Sequence, residues 1–79
     1  MKATVLVRPK GGILDPQGEA VESSLRELGF RVGDVRVGRV IDLELEVDNE
    51  GAGRAEIERM CERLLANPLI ESYEIEVAG

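Results

Sequence analysis

Residues Arg39 to Val47 carry the sharpest pattern in the chain. Ile41, Leu43, Leu45 and Val47 alternate strictly with Asp42, Glu44 and Glu46, which predicts a strand with one apolar and one acidic face. Lys2 to Arg8 alternates more loosely, with Ala3, Val5 and Val7 on one side and Leu6 on the other. Tyr73, Ile75 and Val77 alternate with Ser72, Glu74 and Glu76 as a final strand, and Arg31 to Val37 reads as a further one, joined to Arg39–Val47 at Gly38. Two segments change to the helical period. Asp15 is a good N-cap, Pro16 suits the first helical position, and Val21, Leu25 and Leu28 follow at helical spacing until Gly29, a fitting left-handed stop. Ile57, Met60, Cys61, Leu64 and Leu65 fall at i, i+3, i+4, i+7 and i+8, the spacing of one buried stripe. That second helix ends near Asn67, because Pro68 biases the residue before it away from helix. Pro9 to Leu14 and Asp48 to Gly53 read as loops, the latter as a turn-rich connection.

The order βαββαβ predicts an α+β fold, an antiparallel sheet with two helices on one face in the ferredoxin-like arrangement, built as a single domain over residues 1–79. With strand order 4-1-3-2, the outward row Lys2, Thr4, Leu6 and Arg8 lies between the acidic rows of the third and fourth strands. Opposite charges then face each other across strands, each pair contributing about 0.2–1 kcal/mol. This helix-free face is either solvated or an oligomer contact.

Size changes the picture. A chain of 79 residues buries only roughly 60% of its unfolded surface and usually needs a disulfide, a metal or oligomerisation. One cysteine and no histidine exclude an internal disulfide and disfavour structural zinc, so a homodimer or homotetramer is expected. A net charge of −6, with the basic residues scattered, disfavours nucleic acid. No apolar run approaches the roughly 20 residues of a membrane span. The N-terminus begins directly in a strand-like pattern with no signal peptide. A soluble cytoplasmic protein is expected.

Catalytic constellations are missing. Without histidine the usual serine and cysteine triads are excluded. Ser23, Ser24 and Ser72 have no activating partner, and Cys61 sits on an apolar stripe, where a small buried hydrophobe is the expected role. Gly11-Gly12 is not followed by the lysine of a phosphate-binding loop, although Arg8, Lys10 and the start of the first helix offer positive charge to an anion. Asp48-Asn49-Glu50-Gly51 lacks the ligand spacing of a calcium loop. No catalytic and no metal-ligating residue is assigned.

Three blocks of sequence say more. Leu14-Asp15-Pro16-Gln17-Gly18 is followed by Ala20-Val21; Val35-Arg36-Val37-Gly38-Arg39 stands mid-chain; Met60-Cys61-Glu62-Arg63-Leu64-Leu65-Ala66-Asn67 precedes Pro68-Leu69-Ile70-Glu71. In this order, across nearly the whole length, they resemble the PurS family, the small subunit of phosphoribosylformylglycinamidine (FGAM) synthase. The departures are mild: Arg39 and Arg63 stand where the family often has lysine, and Asn49 to Gly53 is unusually glycine-rich. The resemblance implies a noncatalytic subunit of an ATP-dependent amidotransferase in purine biosynthesis, bridging a PurL-type synthetase and a PurQ-type glutaminase. That enzyme converts formylglycinamide ribonucleotide, glutamine and ATP to the amidine, glutamate, ADP and phosphate. No cofactor is implied in the small subunit; ATP and magnesium are expected on the synthetase. The family's association through sheets favours the contact reading of the helix-free face. The residues expected to contact partners are the family-matching ones in loops and at element ends: Leu14, Asp15, Pro16, Gln17, Gly18, Arg36, Gly38, Arg39, Asn67 and Pro68. The alternative is a small-molecule-binding regulatory module similar to ACT domains, whose only local support is Gly11-Gly12. An acylphosphatase-like enzyme would need a strand-borne asparagine, and Asn49 and Asn67 both fall outside the predicted strands.

Overall fold

The computed structural model describes residues 1–78. β1 (Lys2–Pro9) is the middle strand of a three-stranded antiparallel sheet, flanked by β2 (Arg39–Glu44) and β3 (Glu71–Ala78), in the order β2-β1-β3. This is the 4-1-3 part of the expected order, and the ferredoxin-like α+β class holds. Ala3, Val5 and Val7 are buried as the alternation predicts. On the other face Thr4 Oγ1 donates to Asp42 at 2.8 Å, and Arg8 stands 3.9 Å from Glu74. The predicted pairing of basic and acidic rows is therefore present.

The expected strand Arg31–Val37 is not part of the sheet. Three of its backbone groups are bonded instead to side chains of the first helix, α1 (Pro16–Glu27), and of its N-cap residue. Arg26 donates to the carbonyls of Val32 and Gly33 at 3.1 and 3.4 Å, and the amide of Val37 donates to Asp15 at 2.9 Å. These bonds hold the segment along α1, away from β2. β2 also ends earlier than its alternation, at Glu44, yet Met1 and Leu45 still exchange two hydrogen bonds of 2.8 Å beyond it. Gly29, with φ of 94°, takes the left-handed stop after α1.

α2 (Glu50–Met60) starts inside the segment read as a loop, because Asn49 caps it: its Oδ1 accepts from the amide of Ala52 at 3.1 Å. The helix then continues as one π turn, Cys61–Leu65, closed by the bond from Ala66 N to the Cys61 carbonyl. Ile57 and Cys61 are fully buried and Ala66 nearly so, forming the core with Ala3, Val5, Val7 and Leu45. Leu64 is not in that core: it is 82% exposed. The wider turn advances each residue through a smaller angle, so Leu64 no longer reaches the face that α-helical spacing assigns to it. α2 packs against β3, whereas α1 lays no comparable layer on the sheet or on α2. Only one of the two helices expected on the sheet face therefore lies there within a single chain. Among the described residues no helix is long and apolar enough to cross a membrane.

Candidate functional site

Two knots of hydrogen bonds at one end of the sheet join the three sequence blocks. The first ties the start of α1 to the chain returning from it. Asp15 occupies the N-cap position with extended backbone; its carboxylate lies near the first amides of the helix, as the sequence predicts, but closes no capping hydrogen bond with them. Its Oδ2 instead accepts from Val37 N at 2.9 Å. That backbone donor, helped by the Gly18 amide and by the charge of Arg36, holds the Asp15 carboxyl below its ordinary value. Arg36 closes the knot from the other side, donating to the Ile13 carbonyl at 2.9 Å and to Asp34 at 3.3 Å. Gly18 is the buried residue of α1, and a Cβ there would run into the Val35 carbonyl and the Asp15 carboxylate. A Cβ on Gly38 would likewise strike the Val7 carbonyl. Both glycines let backbone approach backbone where the three segments meet.

The second knot is centred on Glu71. Arg39 donates to both of its carboxylate oxygens, at 2.8 and 3.1 Å, and also to the Leu65 carbonyl at the end of the π turn. Glu71 accepts from Asn67 N as well, at 2.7 Å, and these partners, Arg39 first, hold its carboxyl below the usual value. Asn67 organises the turn that follows: its Oδ1 accepts from Leu69 N at 3.2 Å, and its carbonyl from the amides of Ile70 and Glu71. Lys10 straps this turn to β1: its Nζ donates to the Pro68 carbonyl at 2.6 Å and its backbone amide donates to the Ile70 carbonyl at 2.9 Å.

The two knots form the walls of one cleft of 290 Å³, lined by Leu14, Pro16, Gln17, Gly38, Arg39 and Glu71 among others. The family-matching residues divide around it. Asp15, Gly18, Gly38 and Arg39 are spent on internal geometry. Leu14, 70% exposed, projects outward, and Pro16, Gln17 and Pro68 are also exposed. Arg36 and Asn67 are exposed residues whose polar atoms fix the loops that carry the others. The cations read as a possible anion site are matched elsewhere, Arg8 toward Glu74 and Lys10 on Pro68. Sequence reasoning left Glu71 out of the candidates although it closes the third block. An acidic residue ending that block was the available signal, and its arginine partner lies 32 positions away. The arrangement has no nucleophile poised beside a base. It presents a hydrogen-bonded, shaped end of the molecule with the apolar Leu14 and the amide of Gln17 outward, a surface suited to docking.

The family model described as PurS, phosphoribosylformylglycinamidine (FGAM) synthase, matches residues 2–79. The chain is 44% identical over 77 residues to the PurS subunit of that synthase from Methanocaldococcus jannaschii, covering 96% of this chain and 93% of the relative. It superposes on the crystal structure of Bacillus subtilis PurS with a TM-score of 0.88 at 39% identity, over 99% of this chain and 98% of the other. A chain in the structure of PurLQS from Thermotoga maritima matches with a TM-score of 0.85 at 37% identity, over 95% and 93% of the two chains.

Proposed function

Since the chain belongs to the PurS family of FGAM synthase subunits, we propose that it is the noncatalytic bridging subunit of that enzyme, joining a PurL-type synthetase to a PurQ-type glutaminase. The observation that carries this reading is the match over residues 2–79, held by a fold of the same shape and by a relative found in a PurLQS assembly. It favours assembly over the ligand-binding module. Glutamine hydrolysis and ATP-driven amidination then belong to the partner chains, with ATP and magnesium held by the synthetase, and the complex works in the cytoplasm. What remains for this subunit is geometric. Ammonia released at one site must reach the other before water dilutes or protonates it, and a bridge that fixes the two sites supplies that proximity.

The partner surface in this reading is the outward rim of the cleft, Leu14, Pro16, Gln17 and Pro68. Asp15, Gly18, Gly38 and Arg39 hold it in shape from behind, and Arg36 and Asn67 connect the two sets. The test is amidine formation by the synthetase and glutaminase of the same organism, with and without this chain, from glutamine or from ammonium. A requirement for the chain with glutamine but not with ammonium supports coupling of the two sites. Equal glutamine-dependent turnover without it refutes the bridging role.

A further inference from the structure

We infer that Leu69 is the anchor by which a partner subunit holds this chain: its side chain seats in an apolar socket on that subunit, and its carbonyl accepts a hydrogen bond from a donor at the socket's edge. The inference rests on the bridging role proposed above and identifies, on that surface, the residue that carries the contact. Among the described residues no large apolar side chain is more exposed than Leu69, at 84%. Exposure alone says little, because single apolar side chains are common on protein surfaces. The turn that carries this one sets it apart.

Asn67 N donates to the Glu71 carboxylate, Leu69 N to Asn67 Oδ1, and Ile70 N and Glu71 N both to the Asn67 carbonyl. From the end of β1, Lys10 donates through Nζ to the Pro68 carbonyl and through its amide to the Ile70 carbonyl. Pro68 has no amide hydrogen, and its ring fixes φ. Every backbone donor from Asn67 to Glu71 is therefore engaged, and of the carbonyls from Asn67 to Ile70 only that of Leu69 is free among the described residues. So many fastenings keep the leucine from folding back onto its own chain. They also remove in advance much of the ordering entropy that association would cost, which lets one exposed side chain act as an anchor. What the turn leaves free defines the socket. The side chain calls for a depression with apolar walls, and the carbonyl for an N–H or O–H group, because burying it unpaired would weaken binding. The exposed neighbours on the same rim, Leu14, Pro16, Gln17 and Pro68, carry no charge, so the contact works by shape and apolar burial.

The experiment combines affinity and contact. Leu69→Asp is expected to raise the dissociation constant of this chain from the synthetase and glutaminase of the same organism roughly 30-fold or more. Leu69→Met, which keeps an apolar side chain of similar volume, should retain most of the affinity. Melting temperature and sedimentation of the isolated chain should be the same for both variants and the parent, because the side chain lies in solvent. A photoreactive phenylalanine analogue placed at position 69 should form adducts with the synthetase or the glutaminase in the assembled complex. A wild-type chain that forms no complex overturns the bridging role and this inference with it. A complex that Leu69→Asp leaves equally tight overturns the inference alone. So do adducts confined to a second copy of this chain, or a loss of affinity accompanied by a changed mass of the isolated chain.

Discussion

Arg39 grips both carboxylate oxygens of Glu71, at 2.8 and 3.1 Å, from the far side of the middle strand. Arg39 pairs with Val7 on one edge of β1 and Glu71 with Pro9 on the other, so the side chains span β1 where no ladder bond joins β2 to β3. Arg39 also holds the Leu65 carbonyl, which makes this pair the point where both outer strands and the end of the long helix are fastened together.

Glu71→Gln keeps the shape but removes the charge that Arg39 and Asn67 N both address. The loss is expected to be about 1 kcal/mol, at the low end for a charged hydrogen-bond network because Arg39 is half-exposed and water replaces part of the interaction. Urea denaturation of the two proteins measures it. A variant as stable as the parent would show that the clip is decorative.

Acid should loosen both knots. Asp15 and Glu71 titrate below their ordinary values of 3.8 and 4.5 in the folded chain, Asp15 chiefly through Val37 N–H and Glu71 chiefly through Arg39. A carboxyl depressed by folding adds stability that is fully present above its unfolded value and drains away as pH falls through the folded one. The melting temperature should therefore be level near neutrality and drop as pH descends below about 4.5, with a shallower drop in Asp15→Asn/Glu71→Gln. Equal slopes for parent and double variant would remove these two groups as the cause.

The π turn makes neighbouring leucine and isoleucine positions behave in opposite ways. Ile57→Ala opens a void in the centre of the core and is expected to cost about 2–5 kcal/mol. Leu64→Gln, at a position that helical periodicity places on the same stripe, should change stability by less than about 0.5 kcal/mol because the residue is exposed. Thermal unfolding of both variants checks the contrast.

Cys61 should be chemically silent in the folded chain. Burial pushes its thiol above the ordinary value, and Glu62 and Glu58 add to the shift, so little thiolate is available to react. A thiol reagent at pH 7.5 is expected to label it at the rate of unfolding and immediately in denaturant. Rapid labelling of the folded protein would contradict the burial.

The sequence was most readable where a residue's neighbours along the chain decide its fate. β1, β3 and α1 follow their periods within a residue or two, and Gly29 stops α1 as read. Residues 31–37 were misread because a strand needs a partner as well as a pattern, and hydrogen bonds from Arg26 and to Asp15 hold this segment along α1, outside the sheet. Leu64 was misplaced because nothing local announces a π turn. At the candidate site the three blocks were visible as words, and their division into inward and outward residues was not. Asp15 shows why: it stands at the N-cap position, as its neighbours predict, but its carboxylate is claimed by an amide 22 positions away.

The single π turn has one more consequence. It sets the direction in which the chain leaves the helix, so that Ala66 enters the core and Asn67 arrives beside Glu71. Removing one residue between Cys61 and Leu65 would restore regular helix and return an apolar side chain to the stripe, a local improvement by any measure of helix quality. The bond from Ala66 N to the Cys61 carbonyl would then span four steps in place of five, still about one full turn, so Ala66 and Asn67 would keep nearly their places beside the core and the Arg39 clip. Between Ile57 and Asn67 the chain therefore carries one residue more than a regular helix needs: that one can leave with the exit still in phase, whereas losing a second would turn everything after it by about 100°.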